Sequence, residues 1–324
     1  MTNNKLKILV DAFGGDYAPD EIIKGTRLAI DELNVSAKLF GDETKIRDSA
    51  KKMKISLEDI EIEDARDLIS NKDSAIEITR SKKNSSMAKG LIALANSEGD
   101  VFVSAGSSGA LLAGACLIVK RAKGIKRIAF APAIPKKKGV FLLIDSGANS
   151  SCTPEMLGQF GIMGSNYMKN VLKIDNPRVG LLNIGTEENK GDNLRLKAFK
   201  ILSENNVNFV GNIEAREVPE DAADVVVTDG FTGNIFLKTY EGMVKILMSK
   251  FKEIFLTNFK TKLGAFLIKD ELMRIKQNMD YSEYGGAPLL GASKPIFKAH
   301  GNSNAKCIKN AIRLAKELKK IDSL

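Results

Sequence analysis

Five short apolar strands, each followed by a small-residue loop with glycine and then by a helix, constrain this fold most strongly. The loops lie at 11–19, 104–114, 145–150, 183–193 and 228–234. In a parallel α/β sheet such loops emerge at the carboxyl ends of the strands, where ligands bind. Each also directs backbone N–H groups and a helix N-terminus toward that edge, which favours an anion such as phosphate. The sequence therefore predicts an anion-binding pocket assembled from several loops.

Strand and helix patterns alternate along almost the whole chain. The predicted strands lie at 6–10, 36–40, 58–62, 100–104, 127–132, 140–145, 178–184, 207–211, 223–228 and 295–299. The clearest predicted helices lie at 20–33, 85–97, 108–120, 154–171, 193–204 and 302–319. We therefore predict an α/β protein: one Rossmann-like domain over residues 1–324, a three-layer α/β/α sandwich with helices on both faces of the sheet.

The segment 231–280 interrupts this alternation because it carries only a helical pattern. Its apolar residues recur at steps of three and four, and lysines fall largely between them. Such a protruding helical pair can pack on the sheet or form a dimer contact. A basic amphipathic surface that rests on anionic lipid has the same composition. Core packing or dimerisation is the favoured interpretation, and the Phe-rich stretch 255–267 keeps lipid contact open.

Composition and charge narrow the class of partner. The net charge of +9 favours an acidic or phosphate-bearing partner. Nucleic acid is disfavoured, because there is no Trp, aromatic residues make up only 6%, and stacking platforms are therefore scarce. The N-terminus resembles no signal peptide, and the three cysteines have no metal or disulfide spacing. We expect a cytoplasmic protein, with peripheral contact at the inner face of the cell membrane as an option.

Standard catalytic motifs are absent from the sequence. It has neither GxGxxG after a strand nor GxxxxGK[ST], and it has no HExxH or Cys/His cluster, so we expect no cofactor and no metal. His300 is the only histidine, so few side chains are available for covalent catalysis. A reaction whose nucleophile is a bound small anion needs only positioning cations and backbone donors.

Seven blocks in order resemble the PlsX family of phosphate acyltransferases. They read VDAFGGDYAPDEIIKG, RSKKNSSMAKGL, SAGSSGALLAG, LLNIGTEENKGDN, ADVVVTDGFTGNIFLKTYEG, YGGAPLLG and AHGNSNA, and they span about residues 7–315. The resemblance implies transfer of a fatty acyl group from acyl carrier protein to inorganic phosphate, giving acyl phosphate for phospholipid synthesis. It also implies a homodimer and a fold like those of isocitrate and isopropylmalate dehydrogenases and phosphotransacetylases.

Two alternatives to this function stay open at the sequence level. One is a phosphotransacetylase-like enzyme that uses acyl-coenzyme A. The other is a non-catalytic peripheral-membrane adaptor that gathers lipid-synthesis enzymes, such as the downstream enzyme of acylglycerol-phosphate synthesis. The retained blocks around Arg80, Lys190 and Asp229 argue against the non-catalytic adaptor.

The candidate site residues come from these blocks and their chemistry. Lys190, in a Gly-flanked turn, is the predicted cation for phosphate or the oxyanion. His300 is a candidate proton donor to the departing thiolate, and Asp229 is a catalytic candidate that also fits a helix cap. The predicted phosphate and substrate contacts are Asp11, Gly14, Gly15, Asp16, Arg80, Lys83, Asn84, Ser85, Ser107, Ser108, Gly109, Asn183, Thr232, Gly233 and Asn234.

Three departures from the family pattern affect these assignments. Tyr17 replaces the usual histidine of the first block, so no histidine can act there. Ser107 and Ser108 replace Asn and Thr, and their hydroxyl groups still donate and accept hydrogen bonds. The segment around Ser293 lacks a glycine often found before the last strand.

Overall fold

The computed structural model describes residues 5–278 and 286–319. The strands in these residues are Leu6–Asp11 (β1), Val35–Gly41 (β2), Ile60–Asp64 (β3), Val101–Ser104 (β4), Ala129–Phe130 (β5), Ala133–Pro135 (β6), Val140–Ile144 (β7), Arg178–Asn183 (β8), Asn208–Glu214 (β9), Val225–Val227 (β10), Ala287–Leu290 (β11) and Ile296–Lys298 (β12). The helices are Asp20–Leu33 (α1), Glu43–Met53 (α2), Ser86–Ala95 (α3), Ser108–Gly114 (α4), Pro154–Asn170 (α5), Asn193–Glu204 (α6), Gly230–Leu256 (α7), Phe259–Leu267 (α8), Lys269–Asn278 (α9) and Ala305–Lys319 (α10). A π-turn at Ala115–Val119 extends α4, and short 3₁₀ turns lie at Ala75–Thr79 and Val218–Glu220.

The strands divide between two sheets. The first has the order β3-β2-β1-β4-β12-β11-β5, and the second has the order β6-β7-β10-β8-β9. Pairing is parallel except where β11 meets β12 and β5, and where β6 meets β7. The parallel strands β1, β4 and β12 therefore end side by side at one edge, and β7, β10 and β8 do so in the second sheet.

Continuous apolar runs explain why the central strands are buried on both faces. Every residue of β7 (VFLLI) and β10 (VVV) is buried, as expected for parallel strands covered by helices. The edge strand β3 has no fully buried residue. One apolar core joins the two sheets, since it contains Val10 and Val103 of the first and Leu142 and Val227 of the second.

The predicted α/β class is confirmed, and each predicted strand has a counterpart in the structure. The strands β6 and β11 were missed, because each is short and contains a proline, and the segment APLL of β11 also follows a Gly-rich stretch. The prediction of a single domain over 1–324 stays a prediction.

The described part of the segment 231–280 is helical except at Thr257, Asn258 and Ile268, and residues 279–280 lie outside the described residues. It contains three helices, α7, α8 and α9, because Thr257 and Asn258 interrupt the helical run and Asn258 caps α8. In α7 only Gly230 and Gly233 are buried, and α8 has no buried residue. Among the described helices, none combines the length and apolarity needed to cross a bilayer.

A buried ion-pair network fastens the second sheet at the end opposite its loops. Lys136, with only 2% of its side chain exposed, contacts Asp221 at 2.5 Å and Asp224 at 2.7 Å. Arg178 binds the same two carboxylates at 2.6 and 3.0 Å. Burial alone would raise the pKa of Asp224, but the hydrogen bonds from Arg178 and Lys136 outweigh it and hold the pKa well below the usual range.

We expect Asp224→Asn to lower the free energy of unfolding at pH 7 by about 3 kcal/mol, because it leaves the buried Lys136 and the partly exposed Arg178 short of a partner. The matched control is Glu220→Gln, which breaks the Lys137 pair, exposed at 63% and 67%, and should leave the free energy of unfolding close to the wild-type value.

Because the pKa of Asp224 is depressed by folding, its contribution is complete above the pKa of the unfolded chain. It should shrink as the pH falls below about 4, so wild type and Asp224→Asn should converge in urea unfolding there. Equal losses in both variants at pH 7 would contradict this account.

Candidate functional site

A cleft of about 920 Å³ opens where the two sheets face each other. Its first side consists of the loops that follow β1, β4 and β12. Its second side consists of β6, Ser146 and Gly147 after β7, and one face of α7. The cleft thus lies at the carboxyl ends of parallel strands, where the sequence predicted a pocket made of several loops.

The Asp11 carboxylate is the centre of the cleft floor. It is 2% exposed and accepts hydrogen bonds from the Ser86 hydroxyl at 2.6 Å and the Ser104 hydroxyl at 2.7 Å. The Gly106 N–H donates in turn to Ser104 Oγ at 3.0 Å. Burial raises the pKa of Asp11, and these hydrogen bonds act against that rise. The network ties β1, the start of α3 and the end of β4 into one rigid unit.

Glycines allow the loops of this floor to approach one another. A Cβ on Gly14 would lie 2.5 Å from an Asp11 oxygen and 2.6 Å from the Gly106 nitrogen. Gly15 has a φ of +107°, which favours glycine. The Asp16 N–H donates to the Gly301 carbonyl at 2.7 Å, which joins the β1 loop to the loop between β12 and α10.

Lys298, the last residue of β12, supplies a partly buried cation to the cleft. Its Nζ donates to the Ala105 carbonyl at 3.2 Å and also to the Ala299 carbonyl. Burial lowers the pKa of this lysine to about 8, although the charges of Asp11 and Asp16 act in the opposite direction.

The first turns of α7 bring further polar groups to the cleft. Glu241 contacts Lys238 Nζ at 2.8 Å and His300 Nε2 at 3.8 Å. The contact with His300 is the main cause that lowers the pKa of Glu241. Asn234, two turns before Glu241, lies against Gly147. His300 is thus positioned at the cleft by a carboxylate from a different element.

The rest of the cleft wall is apolar. It is lined by Phe130 and Ile134, and by Leu237, Val244 and Met248, which lie on one side of α7. The spacing of the three α7 residues follows the helical period, so they form a continuous stripe that leads away from the polar floor. A molecule with an anionic or polar end and a hydrocarbon tail matches this division.

Asp229 and Thr232 form a cap at the start of α7, outside the lining of the cleft. Asp229 accepts hydrogen bonds from the Thr232 N–H and hydroxyl, both at 2.9 Å, and forms an ion pair with Arg195. Arg195 also contacts Asp192 at 2.9 Å. The capping role considered for Asp229 is therefore present in the structure.

Lys190 lies at the carboxyl edge of the second sheet, on an exposed turn outside the cleft lining. Its carbonyl accepts a hydrogen bond at 3.0 Å from the Asn183 side-chain amide. Gly191, with a φ of +94°, completes the turn. The roles assigned to Lys190 and Asn183 stay predictions.

The remaining predicted contact residues either cap or pack against a structural element, or lie exposed outside the cleft. Ser85 is buried and caps α3 through the Ala88 N–H, as its place before that helix indicated. Gly233 packs directly on the Asp145 carbonyl. Exposed positions outside the cleft lining are occupied by Arg80, Lys83, Asn84 and Gly109.

The structure thus brings some of the predicted site residues together in the cleft. The predicted residues that line the cleft are Asp11, Gly14, Gly15, Asp16, Ser107, Ser108, Asn234 and His300. Sequence reasoning missed Ser86, Lys298, Lys238 and Glu241, which also line it. A signal for Lys298 was available, since a lone lysine ends the apolar strand PIFK two residues before His300.

Comparison with known proteins agrees with this architecture. A phosphotransacetylase from Streptococcus pyogenes superposes with a TM-score of 0.67 over 98% of this chain and 95% of its own, at 15% identity. A 4-hydroxythreonine-4-phosphate dehydrogenase from Klebsiella pneumoniae gives a TM-score of 0.54 over 97% and 99%, at 13% identity. The chain is therefore an α/β protein with the fold that these proteins share.

Sequence comparison then gives the family. The family described as "Fatty acid synthesis protein" matches residues 6–323, and the chain belongs to it. A phosphate acyltransferase of Caldanaerobacter subterraneus subsp. tengcongensis is 46% identical over 97% of this chain and 93% of its own length. A phosphate acyltransferase of Clostridium novyi is 45% identical over 96% and 94%. The resemblance to the PlsX family is confirmed.

We expect Gly14→Ala to destabilise the fold by about 1–3 kcal/mol, because the new methyl group would overlap Asp11 and the Gly106 backbone. Thermal unfolding measures the effect. Gly242→Ala in α7 is the control, since its added Cβ meets no described atom within 4 Å and alanine favours a helix. A Gly14→Ala protein as stable as Gly242→Ala would show that the loops do not need this close contact.

Proposed function

We propose that this chain transfers a fatty acyl group from acyl carrier protein to inorganic phosphate and releases acyl phosphate for phospholipid synthesis. The proposal is supported by the family and by relatives named phosphate acyltransferase. The observation that carries it is the division of the cleft into a polar floor and an apolar wall. The floor presents Lys298, Lys238 and His300 beside the strand ends, and the wall suits a hydrocarbon chain.

The reaction needs no metal and no redox step. An oxygen of hydrogen phosphate attacks the thioester carbonyl carbon, a C–O bond forms, and the C–S bond breaks as the tetrahedral intermediate collapses. The proton of hydrogen phosphate ends on the departing thiol, so the charges balance. Cations and N–H donors stabilise the oxyanion of the intermediate. His300, positioned by Glu241, is the proposed carrier of that proton, and Lys190 is retained as a proposed second cation.

The experiment combines purified protein, a long-chain acyl-acyl carrier protein and phosphate, and follows the acyl phosphate by trapping it with hydroxylamine. We expect phosphate-dependent product, with a rate at low donor concentration that falls as salt exceeds ~0.1 M, because a basic protein attracts an acidic donor. The shared fold with phosphotransacetylases favours one competing donor, acyl-coenzyme A. Equal use of short acyl-coenzyme A and a flat salt profile would select that donor, and no acyl phosphate from either would refute the function.

We further propose that the protein is a homodimer and that the segment α7–α9 carries both a dimer contact near its base and a reversible contact with anionic membrane at its tip. Apolar side chains are exposed at many positions between Phe231 and Met273, for example Phe251 at 50%, Phe259 at 79% and Phe266 at 71%. Neighbouring lysines are attracted to anionic lipid by ~1 kcal/mol each. Release of an acyl phosphate beside the membrane would pass it to the next acyltransferase of phospholipid synthesis.

Phe259→Asp combined with Leu263→Asp should abolish binding to anionic vesicles, because both side chains are exposed, at 79% and 49%, in an amphipathic helix. Vesicle co-sedimentation measures binding, while solution acyl transfer and the dimer mass should not change. The control, Val210→Asp, places the same charge on an apolar residue of β9 that is 42% exposed, and it should leave vesicle binding intact. Unfolding or dissociation of the double variant would show that these residues belong to a core or a dimer interface.

A further inference from the structure

Lys298 has an N–H donor for which no described residue provides an acceptor. A lysine ammonium has three N–H donors. In Lys298 two are taken by the carbonyls of Ala105 and Ala299, and the described residues provide no third acceptor. Since Lys298 lines the cleft, the third donor is available to a molecule bound there.

Lys294, near the other end of the same strand, shows the contrasting case. Its Nζ donates to the Leu94 carbonyl at 2.7 Å, the Ala95 carbonyl at 3.1 Å and the Ser97 hydroxyl at 2.6 Å. All three of its donors are satisfied by the protein, which identifies it as a structural lysine that caps the end of α3. The protein therefore provides acceptors for all three donors of the lysine at one end of this strand. It leaves one donor of the lysine at the cleft end without an acceptor among the described residues.

The positive charge of Lys298 also has no bonded counter-ion among the described residues. No carboxylate forms an ion pair with it in the part of the chain that the structure describes. Asp11 and Asp16 act on it only through space, and both oxygens of Asp11 already accept hydrogen bonds from serine hydroxyls. A partly desolvated ammonium without a bonded anion is unfavourable, and an anionic ligand would relieve that cost.

We propose that Lys298 binds the attacking phosphate, donating its unused N–H to a phosphate oxygen at the floor of the cleft. This inference rests on the proposed function, because it names the residue that holds the second substrate. Free phosphate is favoured over the phosphate of a donor's pantetheine arm, because Lys298 lies at the strand ends among the polar groups of the floor. The arm's phosphate is separated from the thioester by the length of the arm and cannot take part in bond formation.

The first test compares Lys298→Met with Lys294→Met. A charge-assisted hydrogen bond contributes about 1.5–3 kcal/mol, so Lys298→Met should lower kcat/KM for phosphate by roughly 10- to 100-fold. The KM for the acyl donor should stay within a few-fold of the wild-type value, and Lys294→Met should leave the KM for phosphate unchanged. A Lys298→Met protein with normal kcat/KM for phosphate would overturn the proposal, and a selective rise in the donor's KM would assign Lys298 to the arm's phosphate.

A binding measurement separates this inference from the proposed function. Inorganic phosphate alone should raise the melting temperature of the wild-type protein and of Lys294→Met, and it should not raise that of Lys298→Met. If the wild-type protein binds phosphate through Lys298 and forms no acyl phosphate, the inference stands and the function fails. If acyl phosphate forms and phosphate still stabilises Lys298→Met, the function stands and the inference fails.

The pH dependence tests the same residue without the methionine variant, should that variant not fold. The charged and titratable groups around Lys298 are Asp11 and Asp16 on the β1 loop, Lys238 and Glu241 on α7, and His300 on the loop after β12. With a pKa of about 8, the ammonium loses its charge as the pH rises through that value, so kcat/KM for phosphate should fall above about pH 8. In Lys298→Arg the guanidinium stays charged and this fall should disappear. An unchanged alkaline fall in Lys298→Arg would overturn the proposal.

Discussion

Two buried aspartates, each placed where a parallel strand ends, hold the loops on which the rest of the site depends. Asp11 binds Ser86 and Ser104 in the first sheet. Asp145 plays the same part in the second sheet, where it accepts hydrogen bonds from the N–H groups of Ala148 at 2.9 Å and Asn149 at 2.7 Å. A buried carboxylate is stable only if its oxygens are satisfied. Each aspartate therefore fixes the loop that satisfies it, and the cleft lies between the two fixed edges.

Burial raises the pKa of both carboxyls, and in each the hydrogen bonds it accepts act in the opposite direction. The glycines around them have a complementary role. Gly14 permits the approach to Asp11, and Gly230 allows the start of α7 to pass close to Asp145. The small-residue loops that dominate the sequence are thus needed for packing around two carboxylates as much as for exposing backbone donors to a ligand.

The sequence predicted the fold more fully than the site, for a physical reason. Buried parallel strands such as β7 and β10 are continuous apolar runs and can be recognised locally. A site depends on which loops meet, and five similar loops do not reveal that. Lys190 looked favourable because its turn is Gly-flanked, yet it lies outside the cleft lining. In the sequence Lys298 is only the end of a strand. The pairing of β12 with β4 places it beside Ser104, at the edge where the loops of the cleft begin.

The helix α7 joins the chemistry of the cleft to the exposed surface of the protein. Its first turn is fixed by the Asp229 cap and the Arg195 ion pair, and Glu241 reaches His300 three turns later. With a rise of ~1.5 Å per residue, its 27 residues extend about 40 Å, so its far end stands well away from the sheets. The apolar stripe of Leu237, Val244 and Met248 begins inside the cleft and runs along this helix toward the exposed apolar residues beyond it. An acyl chain bound along that stripe would therefore leave the cleft along α7. The same helix positions His300 through Glu241.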